Sequence, residues 1–337
     1  MRRGLLAWDR AEVPADVIDA RVRRLQAAMN AQGLNALLVY NNFPRPAAVS
    51  WLTHFVPYWS QGVLVVPSDG PPEYFVSLSK RVAGWIAETS HMGEIVSTPR
   101  LGADLAARLS GIGRVGIVER DRFPGGVAAH LIDGLNGTIP DDATELFRSV
   151  RHPADDAEIA LSRHADGLAE SCLNDAITRG GWSRTGALTA AIEGPARLAG
   201  AEEVLVELAP DLSVDQALRR LDGDFELGDR YALRVSLAYK GHWIRTGVTV
   251  DGNQAKVSDW IGGNLAAALT EPGDSFDGLV VVTSQCEACI GSAPLSSVGD
   301  IPVGAVGVAN LTLSVDGAPH LVSVPVLNAD GEVSALI

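Results

Sequence analysis

The chain has 337 residues, of which 47% are hydrophobic, so it is long enough for two domains and too apolar for a disordered protein. Its formal net charge of −14 argues against binding to a nucleic-acid backbone, because no basic surface is available to displace counterions. No apolar run is long enough for a membrane-spanning helix, and we expect no membrane partner. Three cysteines do not make a disulfide framework. Since no signal peptide is recognisable, the expected location is the cytoplasm.

The first part of the chain, to about residue 153, alternates helical and extended patterns. An apolar stripe from Val17 to Met29 predicts a helix over residues 15–32, and Gly33 is suited to end it. Further strands are predicted at residues 37–40, 62–66, 74–76 and 115–118, and further helices at residues 80–89, 102–109 and 127–135. This alternation indicates an α/β layer domain.

The second part begins with a long predicted helix. Asp155 or Asp156 is suited to cap its start, and Gly180 and Gly181 follow its predicted end near Thr178. A second helix is predicted at residues 184–198. From there the pattern is mostly alternating strand, with one helical stretch at residues 255–269.

Residues 227–246 predict a β-hairpin with two arginines at matching places. Gly228 and Asp229 precede the first strand, which contains Arg234, and Tyr239 opens a Tyr-x-Gly turn. The second strand contains Arg245, eleven positions after Arg234. This segment resembles the metal-site hairpin of the pita-bread family, which includes creatinase, prolidase, aminopeptidase P and methionine aminopeptidase.

Two other segments carry the same resemblance. The run from Arg151 to Ala165, with Pro153 and Glu158-Ile159, is similar to the start of the family's catalytic domain, and Gly200-Ala201-Glu202 is similar to the motif before its first strand. The resemblance implies an α/β N-terminal domain at residues 1–153, followed by an α+β pita-bread domain at residues 154–337. It also implies a homodimer.

The resemblance implies a metal centre that this sequence does not supply. Arg234 and Arg245 stand where the family has two aspartates, and a guanidinium has no lone pair for a metal. The family's histidine lies in a Gly-His-Gly motif that is absent, the strand after Pro302 carries no acid, and the last glutamate's position corresponds to Val322. We therefore predict no metal and no cofactor.

The two arginines are the leading candidates for binding a small anionic molecule, because guanidinium binds carboxylate and phosphate at two points. The alternative is that each forms an internal ion pair with Glu or Asp, and the sequence does not decide between them. Strand alternation places Trp243 on the same side as Arg245. Tyr239 completes the predicted substrate-binding set on this hairpin.

His242 and Asp215 are the candidates for acid–base catalysis. Creatinase, a metal-free member of the family, uses a histidine soon after the Gly-Ala-Glu strand. The matching stretch here offers Asp211 and Asp215 but no histidine, so creatinase activity itself is not supported. Arg45 and His54 match places where family members bring a loop of one subunit to the active site of the other. Cys286 and Cys289 form a lone Cys-x-x-Cys, which lacks the second pair that a zinc site needs.

Three functions follow as hypotheses. The first is a metal-independent creatinase- or prolidase-like protein that binds a small anion and hydrolyses or eliminates at a C–N or C–O bond. The second is an inactive pseudoenzyme that serves as a binding or scaffold subunit. The third, a metal-dependent Xaa-Pro peptidase, requires ligands that the sequence lacks.

Overall fold

A computed structural model of the protein describes residues 8–42, 47–55, 60–251, 265, 278–284, 301–315 and 317–336. The chain divides into two units, and the division falls between His152 and Pro153. Within the described ranges, none of the helices combines the length and the apolar character needed to cross a membrane.

The first unit contains a six-stranded sheet in the order β4-β3-β2-β1-β5-β6. Its strands are β1 (Ala36–Asn42), β2 (Gln61–Pro67), β3 (Glu73–Val76), β4 (Ile95–Ser97), β5 (Val115–Val118) and β6 (Asp141–Asp142). Strand β2 pairs antiparallel with β1 and β3, and the other three pairs are parallel. The central strands are buried along most of their length, as expected for a sheet covered on both faces.

Six helices pack on this sheet: α1 (Ala15–Ala31), α2 (Ala47–Thr53), α3 (Ala83–Thr89), α4 (Leu101–Leu109), α5 (Gly125–Gly134) and α6 (Thr144–Arg151). One core cluster joins Met29, Trp51 and Phe147 to one face of the sheet. A second cluster joins Leu105 and Leu131 to the other face. The predicted α/β layer arrangement is therefore present.

One segment of the first unit differs from the sequence prediction. The resemblance places His54 in a loop, but His54 directly follows α2, which ends at Thr53, and residues 51–55 are all buried. The cause is the apolar content of this segment, since Trp51, Leu52 and Phe55 all join the core cluster.

The second unit begins with two helices, α7 (Asp156–Arg179) and α8 (Thr185–Leu198). Of the two capping candidates, Asp155 and Asp156, the structure shows Asp155 capping α7 in a reciprocal arrangement with Glu158. Seven strands follow: β7 (Glu203–Ala209), β8 (Tyr231–Tyr239), β9 (His242–Val250), β10 (Gly278–Ser284), β11 (Val306–Val315), β12 (Ala318–Ala329) and β13 (Glu332–Ala335). Of the helix predicted at residues 255–269, only Leu265 is described, and it is helical.

These strands form one sheet in the order β10-β11-β12-β9-β8-β7, with β13 paired to β12. Alternate residues of β7 and β8, including Val206, Leu233 and Val235, pack against Leu188 and Ile192 of α8. The other residues of these strands point away from the helices. We call this second side of the sheet the inner face.

Candidate functional site

An ion pair between Glu207 and Arg234 lies on the inner face. The two residues are direct neighbours in the pairing of β7 with β8. Arg234 donates from Nε to Glu207 Oε2 at 2.8 Å and from Nη2 to Oε1 at 2.9 Å. Their side chains are 17% and 21% exposed. Both carboxylate oxygens are thus held by one guanidinium, which is a strong and directional arrangement.

Arg234 also reaches across the sheet to Asn310. Its Nη1 lies 3.4 Å from Asn310 Oδ1, which accepts a second hydrogen bond from Ser323 Oγ at 2.8 Å. Strand β11 is the third strand away from β8 in the sheet order. In a flat sheet, the backbones of these two strands would be roughly 14 Å apart. The sheet must therefore curl towards the inner face, so that this face is concave.

Gly247 allows this close arrangement. It pairs with Arg234 on one side and with Ser323 on the other. A side chain here would bring its Cβ to 2.9 Å from the Leu233 carbonyl oxygen and 3.1 Å from Arg234 Cα and Cβ. The missing side chain of Gly247 leaves room for Arg234 to cross towards β11.

Arg245 has a different environment from Arg234. It is partly buried and donates from Nε to Ser236 Oγ at 2.9 Å, and Ser236 is its direct neighbour on β8. Among the described residues, no carboxylate forms an ion pair with Arg245. The structure thus separates two arginines that the sequence treats alike: Arg234 has an internal carboxylate partner, and Arg245 has a neutral one.

The remaining hairpin candidates divide between the two faces. Trp243 lies on the inner face with Arg245, since Ile244 between them packs in the core with the helices. His242 and Tyr239 face the other way. The Tyr239 ring packs against His164 of α7 at a centroid distance of 4.3 Å. These two residues are therefore not part of the arginine site, and a substrate-binding role for Tyr239 is not supported.

The last three candidates also do not join the arginines. Asp215 is exposed, accepts a hydrogen bond from Ala217 N at 2.9 Å and forms an ion pair with Arg219. His54 is only 4% exposed and belongs to the first unit. Arg45 lies outside the described residues, as do Cys286 and Cys289. The structure therefore does not bring the two catalytic candidates, His242 and Asp215, beside Arg234 or Arg245.

Sequence reasoning missed three polar residues of the site. Glu207, Asn310 and Ser323 come from three different strands, and each contacts Arg234 or a residue bonded to it. The sequence count placed the family's last glutamate at Val322, but that side chain is in a core cluster on the opposite face, and its neighbour Ser323 is on the inner face. The available signal was the pair of acids, Glu203 and Glu207, at alternating positions of the otherwise apolar strand β7.

His320, the second histidine of this region, also pairs with a residue outside the arginine site. His320 Nε2 lies 2.8 Å from Asp251 Oδ2, and both side chains are almost fully buried. Asp251 also pairs with Arg230 at 3.3 Å. This cluster ties the start of β12 to the end of β9, and it places no imidazole beside Arg234 or Arg245.

The residues at this site do not fit a metal centre. Within the described part of the chain, no group of three or more His, Cys, Asp or Glu side chains could hold a metal ion. On the inner face, β7 carries two acids. Glu207 is bound to Arg234, and Glu203 is 6% exposed at the start of the strand. A fixed guanidinium repels a divalent cation, so the arrangement selects against metal ions.

Comparisons with known proteins agree with the fold. Residues 21–152 match the sequence profile of the creatinase/prolidase N-terminal domain family. A search of curated protein sequences finds no match. The first unit therefore has both the architecture and the sequence character of that domain.

Solved structures match almost the whole chain. The Xaa-Pro dipeptidase from Bacillus anthracis is 12% identical with a TM-score of 0.69, and the match covers 95% of this chain and 97% of that one. The prolidase from Pyrococcus horikoshii OT3 is 14% identical with a TM-score of 0.71, over 94% and 97%. The X-Pro aminopeptidase from Thermotoga maritima MSB8 is 13% identical with a TM-score of 0.72, over 94% and 96%. At such identities the likeness shows the fold, and the predicted fold class is confirmed.

Proposed function

Because the chain joins a creatinase/prolidase N-terminal domain to a pita-bread domain, we propose that it is a prolidase-like protein that binds a small anion instead of cleaving peptides. The ligand would be a carboxylate or a phosphate, held by Arg245 on the inner face of the second unit. The observation that carries this proposal is the unequal pairing of the two arginines. Arg234 is neutralised by Glu207, whereas Arg245 bonds only to Ser236 among the described residues.

Partly burying the charge of Arg245 costs desolvation free energy. A guanidinium withdrawn from water loses hydration, and a neutral hydroxyl partner compensates for only part of that loss. A bound anion would supply the missing charge and could accept two hydrogen bonds from the guanidinium. The buried Ser236 hydroxyl accepts the Nε bond, so the anion would be bound by the remaining N–H groups of the guanidinium.

This proposal favours the binding-protein hypothesis over the two enzyme hypotheses. A metal-independent hydrolase or lyase needs an acid or base beside the bound molecule. Neither His242 nor Asp215 is bonded to Arg234 or Arg245. A metal-dependent Xaa-Pro peptidase, the hypothesis suggested by the Xaa-Pro dipeptidase and X-Pro aminopeptidase among the structural neighbours, needs carboxylate ligands where Arg234 and Arg245 stand. The chemistry of the site therefore supports binding without hydrolysis.

Thermal unfolding in the presence of small anions tests the proposal. Acetate, other monocarboxylates and inorganic phosphate would be compared at constant ionic strength, with wild-type protein and Arg245→Gln. Binding to the folded state raises apparent stability by about 2.7 kcal/mol when the ligand is at a hundred times its dissociation constant. We expect such stabilisation in the wild type and its loss in Arg245→Gln.

A matched control is Arg179→Gln, which removes the same charge from the exposed end of α7. This variant should keep the response to anions. Equal responses in wild type and Arg245→Gln would reject Arg245 as the binding residue. Metal-stimulated cleavage of an Xaa-Pro dipeptide by the purified protein would reject the proposal as a whole.

A further inference from the structure

Backbone pairing in the sheet of the second unit is interrupted between β9 and β12. Strands β8 and β9 pair along their whole length, and β11 and β12 pair along most of theirs. Within the two fully described strands β9 and β12, in contrast, the only backbone pair is Gly247 with Ser323. The sheet therefore consists of two continuous halves, β7-β8-β9 and β10-β11-β12, that are joined by little backbone pairing.

Pro325 and Thr249 explain why the ladder does not continue on either side of this pair. The antiparallel register places Arg245 opposite Pro325, and Thr249 opposite Leu321. Proline has no N–H, and the Pro325 carbonyl oxygen accepts a hydrogen bond from Leu336 N at 3.0 Å. The Thr249 hydroxyl accepts a hydrogen bond from Leu321 N at 2.8 Å and donates one to Leu321 O at 3.3 Å. A side chain thus replaces the backbone pair at Leu321.

Further polar links across this junction also come from side chains. Arg230, which precedes β8, donates from Nη2 to the Pro319 carbonyl oxygen of β12 at 2.5 Å. On the inner face, Arg234 of β8 reaches Asn310 of β11 at 3.4 Å. Such bonds break one at a time, whereas a ladder is lost cooperatively. The junction therefore has the features of a region that opens at a lower free energy than the rest of the sheet.

The apolar packing on the opposite face divides at the same line. Ile244 of β9 belongs to the core cluster formed with α7 and α8, whereas Val322 of β12 belongs to a separate cluster. Val306 and Leu336 join the first cluster, so some apolar contact across the line remains. The two halves of the sheet thus have largely separate cores as well as separate ladders.

We propose that the junction between β9 and β12 is a joint at which the two halves of the sheet separate locally in the folded protein. The Thr249 hydroxyl holds the joint closed, because it binds both backbone groups of Leu321. Arg245 lies on the part of β9 that faces Pro325, so opening of the joint changes the surroundings of the proposed anion site. The joint goes beyond the proposed function and does not depend on it, since it follows from the pairing of the strands.

Native-state hydrogen exchange of the full-length, ligand-free protein, resolved by NMR, tests the joint. Exchange would be followed at the amides of Leu321 and Ser323 in the joint, and at those of Val235 and Leu237 in the ladder of β8 with β9. We expect protection factors at least roughly tenfold lower in the joint than in the ladder. At low urea concentrations, exchange in the joint should hardly change, because local opening exposes little surface.

Thr249→Val removes the hydroxyl and nearly keeps the side-chain volume. It should lower the protection of Leu321 and Ser323 by roughly a further tenfold and leave Val235 unchanged. Thr246→Val is the matched control, because Thr246 is also a buried threonine of β9 and lies on the opposite face. This variant should leave the joint amides as they are in the wild type.

Equal protection and equal urea dependence of all four amides in the wild type would overturn the proposal, whatever the variants show. Equal effects of Thr249→Val and Thr246→Val on Leu321 and Ser323 would also overturn it, since the hydroxyl would then not hold the joint. No anion is present in these measurements. Their outcome is therefore separate from whether Arg245 binds an anion.

Discussion

Arg234 and Glu207 form a two-point ion pair between the edge strand β7 and its neighbour β8, on the concave inner face of the sheet. Each side chain is less than a quarter exposed, so solvent screening is weaker than at an open surface. Arg234 stands at one of the two positions where the resemblance implies a metal-binding aspartate, and its guanidinium is held there by an internal carboxylate.

The first prediction is that Arg234→Ala destabilises the second unit much more than Arg245→Ala. Removal of Arg234 leaves the Glu207 carboxylate without its counter-charge, at a cost of about 2–4 kcal/mol, which allows for its partial exposure. Arg245→Ala removes one hydrogen bond to a hydroxyl and should cost about 1 kcal/mol or less. Urea denaturation of both variants measures the difference in the free energy of unfolding.

The double variant Glu207→Gln/Arg234→Gln provides the control. It removes both charges together, so it should be more stable than Arg234→Gln alone. Additive losses from the two single substitutions would show that the pair contributes nothing as a pair.

The second prediction is that divalent metals do not stabilise the protein. Arg234 and Arg245 stand where the resemblance implies two carboxylate ligands, and a guanidinium does not bind a cation, so we expect no metal at the inner face. Addition of Mn²⁺, Co²⁺ or Zn²⁺, or of a chelator, should leave the melting temperature unchanged, and elemental analysis should find no stoichiometric metal. A chelator-sensitive melting temperature would contradict this interpretation of the site.

The third prediction concerns Asp166, a buried acid on α7 whose Oδ1 has no hydrogen-bond partner. Burial raises the pKa of this carboxyl to about 7, and the nearby Glu170 carboxylate adds to the rise. Since the pKa in the unfolded chain is about 3.9, folding favours the protonated acid. The stability that depends on this proton is complete below about pH 4 and is lost as the pH rises towards 7.

Asp166→Asn should therefore stabilise the protein at pH 8 by roughly 2–4 kcal/mol relative to wild type, with little difference at pH 4. Denaturation at the two pH values gives the comparison. Glu170→Gln should produce a smaller change in the same direction, and the exposed Asp175→Asn is the matched control on the same helix. A stability difference that does not depend on pH would show that Asp166 does not titrate in this range.

The fourth prediction tests the packing of the first unit at Gly62. The buried Tyr74 ring passes over Gly62 to donate a hydrogen bond of 2.7 Å to Asn41 Oδ1, and burial raises the pKa of this tyrosine. A Cβ at Gly62 would overlap with the Tyr74 hydroxyl. Gly62→Ala should cost about 1–3 kcal/mol, or more if the hydrogen bond to Asn41 is lost.

Gly84→Ala is the matched substitution in the same unit. Gly84 is exposed on α3, and nothing lies within 4 Å of the Cβ it would gain. Alanine is the better helix former, so this change should stabilise by up to about 1 kcal/mol. Thermal unfolding of the two variants should therefore shift in opposite directions, and shifts of the same sign would contradict the packing described at Gly62.

Local patterns in the sequence determined most of the secondary structure, and they placed Trp243 and Arg245 on the same side of β9. The apolar stripe of α1, the capping residue Asp155 and the hairpin with its Tyr-x-Gly turn all depend on residues close together in the chain, and each is present as predicted. Alternation along β9 also placed Trp243 beside Arg245 correctly. Such features follow from the periods of helix and strand, which a single segment reveals.

Only the tertiary structure decided which arginine is paired. Glu207 is 27 residues from Arg234, and Asn310 is 76 residues away, so their contacts depend on strand order, on register and on the curl of the sheet. A shift of one residue in register would turn each side chain to the opposite face, as the neighbouring positions Val322 and Ser323 illustrate. The sequence therefore identified two cations on one hairpin. The fold alone supplied a carboxylate to Arg234 and left Arg245 with a serine.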